Sequence, residues 1–240
     1  SNSCPLMTES AFPSVASQVP LLFVLEKVSS TNSVLFGLPE APPFTTAITT
    51  NQTAGRGRLG RNWVSGPGDG LALSVLVSRD LVSASVRSWV PLVAGLAAVT
   101  ALRAEGVTAA SLKWPNDVVV GDQKIAGILC EVTAGGDVVV GVGLNVAFSS
   151  QPPVSRASAV SDYIAIDRNF PDAWCSRFLR ELREILGLSR SDIRVTVAQS
   201  MATLGKRVEV EEHDGSRWVG DAAGLDTEGR LIVHTIGEGT

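Results

Sequence analysis

The amino-acid sequence predicts an α+β protein built around a largely antiparallel mixed sheet, with a small all-β module at its C-terminal end. Three observations lead to this prediction. Strand-like and helical runs alternate in the first half of the chain, short β-rich runs separated by glycine turns follow, and residues 205–235 alternate apolar and polar side chains.

The first half of the chain predicts three strands and a short helix. The apolar run LLFVLEKV (21–28), the β-branched run FTTAITT (44–50) and the run GLALSVLVS (70–78) are typical of strands. Between the first two, a helix is expected to begin after Ser30, whose hydroxyl can cap it, and to end at Gly37. The predicted order is therefore β, α, β, β.

The middle of the chain predicts a long helix, a meander and a second helix. Residues 83–105 are apolar on most faces, so one continuous helix is expected there. The β-rich runs that follow are separated by glycine-containing turns at residues 121–122 and 135–136, which are hairpin signals. Apolar side chains recur at helical spacing in residues 169–188, which predicts an amphipathic helix packed on the core.

These patterns divide the chain into three parts. Residues 1–19 are rich in serine and proline and contain no basic residue, so they are expected to form a flexible leader rather than a secretory signal. Residues 20–192 form the main α+β body. Residues 193–240 form the small β module, which is expected to be a partly open barrel.

Composition and charge exclude several classes of protein. The chain is 45% hydrophobic and 18% charged, and its net charge of −4 argues against a general nucleic-acid-binding protein, which is usually basic. The cysteines lack CxxC spacing, and both histidines (His213 and His234) lie near the C-terminal end. Neither a histidine-rich metal centre nor a Ser-His-Asp site in the main body is therefore expected. The apolar run 89–102 is shorter than the roughly 20 residues that cross a bilayer, so a cytoplasmic protein without a membrane segment is expected.

The segment QTAGRGRLGRNW (52–63) contains three arginines, three glycines and no acidic residue. Its G-x-G-x-x-G spacing also occurs in dinucleotide-binding folds, where a helix must start at the last glycine. Gly60 is followed instead by a stretch that contains Gly66, Pro67 and Gly68, which cannot continue a helix, so that interpretation is rejected. An arginine–glycine strip that binds nucleic acid remains an alternative.

Without a helix, this loop can bind an anion through its backbone and its arginines. Glycines let N–H groups approach a phosphate or carboxylate closely, and guanidinium groups match such anions with paired donors. The same glycines leave the loop mobile without a ligand, so it is expected to fold over its ligand and exclude water, with Trp63 packed on the closed site. The plain alternative is a surface turn with incidental arginines.

A second polar cluster surrounds the motif KWPND (113–117). Asp117 and Lys124 flank the turn at residues 121–122, so a hairpin would bring them close together. A carboxylate there can hold Mg²⁺, and lysines can neutralise phosphate oxygens, as a nucleotide-handling site requires. A structural hairpin that merely carries surface charges is the alternative at this point.

Several motifs along the chain occur together in one known enzyme family. They are Ser30-Thr31-Asn32, GRGRLGRNW with Gln52 ahead of it, KWPND, KIAGIL and GVGLN. In this order and spacing, over residues 20–235, the chain resembles the biotin protein ligases. The resemblance implies a catalytic domain at residues 20–192, related to class II aminoacyl-tRNA synthetases and lipoyl ligases, and then an SH3-like barrel. That family usually continues with one more strand, so a short or trimmed barrel is expected.

The resemblance also implies a two-step reaction. The carboxylate of biotin attacks the α-phosphate of MgATP to give biotinyl-5′-AMP and pyrophosphate, and a lysine of a biotin carboxyl carrier domain then attacks the adenylate and releases AMP. Such chemistry needs fixed cations and N–H donors but no general-base histidine, which fits the scarcity of histidine. Only the short leader precedes residue 20, so a ligase-only type without sequence-specific DNA binding is expected. Relatives differ in whether they dimerise, so a homodimer stays open.

Roles for individual residues follow from the resemblance, position by position. It implies that biotin is bound by Ser30, Thr31, Asn32, Gln52, Gly55, Arg56, Arg58, Lys124, Gly127, Gly141 and Gly143. It implies that ATP is bound by Arg58, Arg61, Trp63, Lys113, Asn116, Asp117, Lys124 and Asn145. The implied catalytic residues are Lys124, Arg58 and Arg56, and the implied ligand of Mg²⁺ is Asp117.

Two other functions compete with this interpretation. A lipoate–protein ligase shares the fold and the reaction, but its arginine-pair and triple-glycine motif followed by His-Asp is not found in this sequence. A nucleic-acid-binding module built on the arginine–glycine segment would bind in a salt-sensitive way and without ATP. The acidic balance of the chain argues against that module.

Overall fold

The computed structural model describes residues 11–236. Its strands are β1 (Leu22–Leu25), β2 (Thr46–Thr49), β3 (Gly55–Arg56), β4 (Asn62–Trp63), β5 (Gly70–Val77), β6 (Ala110–Lys113), β7 (Asp117–Val120), β8 (Gln123–Val132), β9 (Val138–Asn145), β10 (Arg207–Glu211), β11 (Arg217–Leu225) and β12 (Leu231–Thr235). Its α-helices are α1 (Pro13–Ala16), α2 (Thr31–Phe36), α3 (Ala84–Arg87), α4 (Val90–Ala104), α5 (Phe170–Leu186) and α6 (Arg190–Gln199).

The main sheet has seven strands in the order β1-β2-β5-β9-β8-β7-β6. β1 and β2 are parallel, since α2 carries the chain back between them, and the other neighbours are antiparallel. The predicted mixed, largely antiparallel sheet is therefore confirmed. The meander β6–β9 is also confirmed, and its turns contain Gly121 and Gly136 with φ angles of 61° and 90°.

The two faces of this sheet have different partners, because successive residues of a strand point to opposite sides. On β9, Val140, Val142 and Leu144 are buried in the core, to which α4 contributes. The alternate residues Gly141 and Gly143 lie against side chains of α2 and of the loop after β2. One face therefore builds the main core, and the other packs on α2 through Val139 but is bare enough at Gly141 and Gly143 for a ligand to approach the backbone.

The helix expected over residues 83–105 is two helices in the structure, so the prediction of one helix is wrong. α3 ends at Arg87, and α4 begins at Val90 with Pro91 in its first turn. Proline has no N–H, and its ring collides with the carbonyl group four residues earlier, so a helix running through Pro91 would clash at Arg87. α4 packs between the sheet and α5, which has the predicted amphipathic pattern. No helix between residues 11 and 236 has the length and hydrophobicity that a membrane crossing requires.

Part of the expected leader is held against the main body. Residues 1–10, which include Cys4, lie outside the described residues. α1 packs on α5, where Val15 is buried. The carboxylate of Asp172 accepts hydrogen bonds from the backbone N–H groups of Ser14 at 3.1 Å and Val15 at 3.0 Å.

The C-terminal part consists of α6 and a three-stranded antiparallel sheet in the order β10-β11-β12. Within the described residues these strands do not close into a barrel. The turn after β11 attaches the small sheet to the body, because Trp89 Nε1 donates to the Thr227 carbonyl at 2.9 Å and Trp114 Nε1 donates to the Gly229 carbonyl at 3.0 Å. The domain boundary at residue 193 falls within α6 and stays a prediction.

Candidate active site

The site lies over the bare face of the sheet, between α2 and the arginine–glycine loop (residues 52–63). Gly127 of β8 and Gly143 of β9 are register partners, and the indole of Trp63 covers both. A Cβ atom on Gly143 would lie 2.5 Å from Trp63 Cε2, and one on Gly127 would lie 3.2 Å from Trp63 Cζ3. Glycine is thus required for a flat group to approach the backbone. We call Gly127, Gly141 and Gly143 the glycine floor.

The start of α2 forms one wall of the site. Ser30 is the predicted N-cap, and its hydroxyl accepts a hydrogen bond from Ser33 N at 3.4 Å. The Thr31 N–H, one of the donors that a helix leaves free at its start, donates to Gln52 Oε1 at 2.9 Å. Asn32 is buried, and its side-chain oxygen lies against Gly141. The motif Ser30-Thr31-Asn32 therefore both caps the helix and supplies polar groups to the site.

Ser74 completes this wall, although it is not among the residues that the motifs predict for the site. Its hydroxyl oxygen lies 2.7 Å from Thr31 Oγ1 and 2.5 Å from Asn32 Oδ1, and the residue is fully buried. Register places it opposite Gly141 of the glycine floor. The available signal was that Ser74 is the one polar residue inside the apolar run of β5.

Glu131 is a second residue of the site that the motifs do not predict. Its Oε2 accepts hydrogen bonds from Asn32 Nδ2 at 2.8 Å and from the guanidinium of Arg56 at 3.1 Å. Arg56 also reaches the Ser33 hydroxyl at 3.4 Å. The acid thus joins α2 to the first arginine of the loop. The available indication in the sequence was the presence of a charged residue shortly after the motif KIAGIL, within the same strand.

The arginine–glycine loop is a short hairpin in the structure. β3 and β4 pair Gly55 with Trp63 and Arg56 with Asn62, and a single 3₁₀ turn connects them. A strand rather than a helix follows Gly60, so the rejection of a dinucleotide fingerprint is confirmed. A Cβ atom on Gly55 would lie 2.5 Å from Gln52 Nε2, which explains the glycine at this position.

The loop borders a cavity of about 560 Å³ together with the far half of β8. Residues 56–62 line one side, and Leu129, Cys130 and Glu131 line the other. A second cavity, of about 490 Å³, shares Arg58, Leu129 and Cys130 with the first and extends to Trp114 and the turn at residues 228–230 of the small sheet. Arg58 therefore lies where the two cavities meet.

Lys124 and Asp117 form an ion pair across the β7–β8 hairpin, with 2.8 Å between Nζ and Oδ1. The predicted proximity of these two residues is confirmed. Lys124 Nζ also lies 5.4 Å from the centroid of the Trp63 ring, within range of a cation–π interaction. The backbone N–H of Lys124 donates to the Arg156 carbonyl at 2.7 Å, so the strand fixes the base of this side chain.

The other members of the KWPND cluster have different environments. Asn116 donates from Nδ2 to the Ile128 carbonyl at 2.8 Å, so its amide is used to hold the edge of β8. Lys113 is exposed at the end of β6, in register with Asp117. Asn145, at the end of β9, is buried and donates to the Ser158 carbonyl at 3.0 Å.

Neither Cys130 nor Cys175 is suited to act as a nucleophile at neutral pH. Burial, with a smaller contribution from the charge of Glu131, raises the pKa of the Cys130 thiol from 9.0 to about 12, so this cysteine is not a thiolate nucleophile at neutral pH. Burial and the nearby Asp172 also raise the pKa of Cys175. Among residues 11–236 no group of three or more histidine, cysteine or carboxylate side chains could form a metal cage.

The structure collects the residues implied by the resemblance into two connected groups. The first surrounds α2 and the glycine floor and contains Ser30, Thr31, Asn32, Gln52, Gly55, Arg56, Gly141 and Gly143. The second surrounds the β7–β8 hairpin and contains Trp63, Lys113, Asp117, Lys124 and Gly127. Arg58 and Arg61 extend from the exposed end of the loop into the cavity beside these groups, whereas the amides of Asn116 and Asn145 bond to the backbone.

Comparisons with known proteins agree with this geometry. Residues 24–146 match the Biotin/lipoate A/B protein ligase family. The chain is 39% identical over 198 residues to a biotin--[acetyl-CoA-carboxylase] ligase of Mycobacterium tuberculosis, covering 79% of this chain and 73% of that protein. It is 31% identical to the enzyme of the same name from Paracoccus denitrificans, covering 88% of this chain and 93% of that protein.

A solved structure gives the same result. The biotin protein ligase of Aquifex aeolicus, solved in complex with biotin and ATP, superposes with a TM-score of 0.76 at 28% identity, covering 89% of this chain and 91% of that one. Fold, motifs and sequence identity therefore agree, and the chain belongs to the biotin/lipoate A/B protein ligase family.

Proposed function

We propose that this protein is an ATP-dependent biotin protein ligase that forms biotinyl-5′-AMP and transfers biotin to a lysine of a biotin carboxyl carrier domain. One observation carries the proposal. On one face of the sheet, the glycine floor lies between a buried set of neutral polar groups on α2 and Lys124, with Arg58 in the adjoining cavity, and we call this strip the trough. Biotin has the matching polarity, with a ureido ring at one end and a carboxylate at the other.

The ureido ring is placed at the α2 end of the trough. Thr31, Asn32, Gln52 and Ser74 present hydroxyl and amide groups there, and Ser30 and Gly55 shape the wall. The apolar chain of biotin is proposed to run over the glycine floor, in the place that the Trp63 indole occupies here, because only glycine leaves room for an apolar group against the backbone. This arrangement puts the carboxylate toward Lys124.

Adenylation is proposed to take place beside the cations at the Lys124 end of the trough. The carboxylate oxygen attacks the α-phosphorus of ATP, a P–O bond forms, and pyrophosphate leaves with its electron pair. Lys124 and Arg58 are proposed to stabilise the negative charge that is shared between the two anions, and Arg61 and Lys113 to face the other phosphates. Trp63, Asn116 and Asn145 are proposed to border the nucleotide.

Mg²⁺ fits this donor set. In nucleotide sites this ion is held mainly by phosphate oxygens and by one or two carboxylates rather than by a protein cage, and Asp117 is a carboxylate beside the proposed phosphate position. When bound, Mg²⁺ would neutralise the phosphate oxygens and make pyrophosphate a better leaving group. Asp117 would in addition hold Lys124 in place.

Transfer is the second half of the reaction. The amine of the carrier lysine attacks the acyl carbon of the adenylate, an amide forms, and AMP leaves. The cavity that runs from Arg58 to residues 228–230 gives the small C-terminal sheet a surface beside this step. We propose that the small sheet belongs to an SH3-like module and that the protein acts in the cytoplasm.

Pyrophosphate release with ATP, Mg²⁺ and a panel of carboxylic acids tests the proposal. Biotin should support release and accumulate as biotinyl-5′-AMP, and lipoate should not, because its dithiolane ring has no N–H or carbonyl group for the polar wall. Equal turnover of lipoate, or no adenylate from either acid, would contradict the proposed function.

A further inference from the structure

We propose that Glu131 is a positioning residue that gives the site its preference for a ligand carrying N–H donors, by fixing the orientation of the Asn32 amide. The inference rests on the proposed function, because it concerns the end of the trough that receives the ureido ring. Glu131 would bind no substrate atom itself and would act through Asn32.

The Asn32 amide has one orientation that satisfies its neighbours. Its Nδ2 lies 2.8 Å from Glu131 Oε2 and 3.4 Å from the Leu129 carbonyl oxygen, and both of these oxygens accept hydrogen bonds only. In the flipped orientation the amide oxygen would face a carboxylate, which repels it. Glu131 therefore keeps Nδ2 on its own side and turns Oδ1 toward Gly141 of the glycine floor.

This orientation determines the direction of the neighbouring hydrogen bonds. Because Asn32 Oδ1 is an acceptor, the Ser74 hydroxyl donates its single proton to it across 2.5 Å. Toward Thr31 Oγ1, at 2.7 Å, Ser74 then acts as an acceptor. Gln52 Oε1, held by the Thr31 N–H, is another acceptor oxygen in this wall. Each of these two amide oxygens keeps a second lone pair, and we assign the two lone pairs to the two N–H groups of a ureido ring.

Arg56 holds the Glu131 carboxylate in place through the same oxygen, Oε2, at 3.1 Å. The side chains of the two residues are 46% and 27% exposed, and ion pairs so exposed contribute little to the stability of a fold. We therefore expect changes at Glu131 to alter ligand recognition more than folding. A ring without N–H groups would leave the oriented acceptors unpaired, which is the costly case in a buried site.

Glu131→Gln is the first test, because glutamine has nearly the same size but can donate as well as accept. We would measure kcat and KM for adenylate formation with biotin and with the two cyclic carbamates in which one ureido N–H is replaced by oxygen. The wild-type enzyme should disfavour at least one carbamate by about tenfold or more in kcat/KM. In Glu131→Gln this preference should fall to roughly threefold or less, the KM for biotin should rise, and the KM for ATP should not change.

A second substitution should restore the preference. Asn32→Asp, introduced together with Glu131→Gln, places an acceptor-only carboxylate at position 32 and a donor amide at position 131, so the wall again presents an acceptor. Glu211→Gln is the matched control, because Glu211 pairs with Arg217 at 3.1 Å in the small sheet, away from the trough. This control should behave as the wild-type enzyme does.

The inference is wrong if Glu131→Gln keeps the wild-type preference, or if both KM values and kcat change together as a general loss of structure would cause. Should Glu131→Gln fail to fold, Glu131→Asp retains an acceptor-only carboxylate, and a folded Asp variant without the preference would contradict the inference. A wild-type enzyme that makes no biotinyl-5′-AMP contradicts the proposed function instead, so the two failures are distinguished.

Discussion

Lys124 is held between two partners, the Asp117 carboxylate at 2.8 Å from its Nζ and the Trp63 ring, whose centroid is 5.4 Å away. The side chain is 33% exposed, so it is neither buried in the core nor free in solvent. Asp117 comes from the neighbouring strand and Trp63 from the arginine–glycine loop. The ammonium position is therefore fixed by the sheet and by the loop together.

Lys124→Ala should slow adenylate formation by about tenfold to a hundredfold, since a hydrogen bond from a charged group contributes roughly 1.5–3 kcal/mol. Transfer from pre-formed biotinyl-5′-AMP should be less affected, because the carboxylate and phosphate have then already reacted. Lys124→Arg should rescue only in part, because a guanidinium cannot replace a compact charge. Single-turnover kinetics of the two half-reactions measure these effects. The exposed Lys206→Ala is the control, and wild-type adenylation by Lys124→Ala would make Lys124 a structural residue.

Gly143→Ala should reduce adenylation at least about tenfold, because the new methyl group would lie 2.5 Å from the Trp63 ring and would displace either the loop or the ligand. Gly135→Ala is the matched control, since its nearest neighbour would be 3.9 Å away. Adenylation rates and tryptophan fluorescence of both variants test this prediction. Similar behaviour of the two would mean that the glycine floor does not bind ligand.

Limited trypsin digestion should report closure of the arginine–glycine loop. Arg56, Arg58 and Arg61 are exposed, so cleavage there should be fast without ligands. Biotin with ATP should slow it several-fold, because the hairpin of this loop pairs only two residues on each side and gains further contacts from the ligands. Peptide mapping identifies the cut positions. Cleavage rates that do not depend on the ligands would argue against a closing loop.

Arg58→Gly should release the adenylate more readily, because Arg58 lies where the two cavities meet and would be the guanidinium nearest the acyl-phosphate. Free biotinyl-5′-AMP then acylates lysines without a docking step. Labelling of an unrelated protein added to the reaction, detected by mass spectrometry, should rise above that with wild-type enzyme. Unchanged labelling of the unrelated protein would mean that Arg58 does not help to retain the adenylate.

The Cys130 thiol should resist alkylation in the folded protein. It should also make the free energy of unfolding decrease at high pH. Its pKa is raised from 9.0 to about 12 in the folded protein, so the unfolded chain loses this proton first as the pH rises through 9. Over pH 9–12 the folded state then binds more protons, and the free energy of unfolding decreases with pH. Urea unfolding of Cys130→Ala should show a weaker decrease. Fast iodoacetamide labelling of native Cys130 at pH 8 would contradict the shift.

Local patterns predicted the parts of the site that depend on nearby residues. The cap at Ser30 and the hairpin that brings Asp117 to Lys124 are set by short-range chain geometry, and both were predictable. The break before Pro91 was missed because the apolar pattern continues across it, although proline excludes a continuous helix.

Ser74 and Glu131 could not be predicted in the same way. Ser74 meets Asn32 across 42 positions and Glu131 meets it across 99, so both contacts depend on the register of the sheet. Within its own strand, Ser74 is a single hydroxyl in an apolar run, and Glu131 is an acid near a strand end. Neither pattern distinguishes a polar wall from an ordinary surface position.

The contact between Trp63 and the glycine floor has a thermodynamic consequence. The indole already covers part of Gly127 and Gly143, so the hydrocarbon chain of a ligand reaching that floor replaces one apolar partner with another. The gain in buried apolar surface is then smaller than the size of the ligand suggests. The heat-capacity change of biotin binding, which scales with that surface, should be correspondingly small, and replacing Trp63 with alanine should make it more negative.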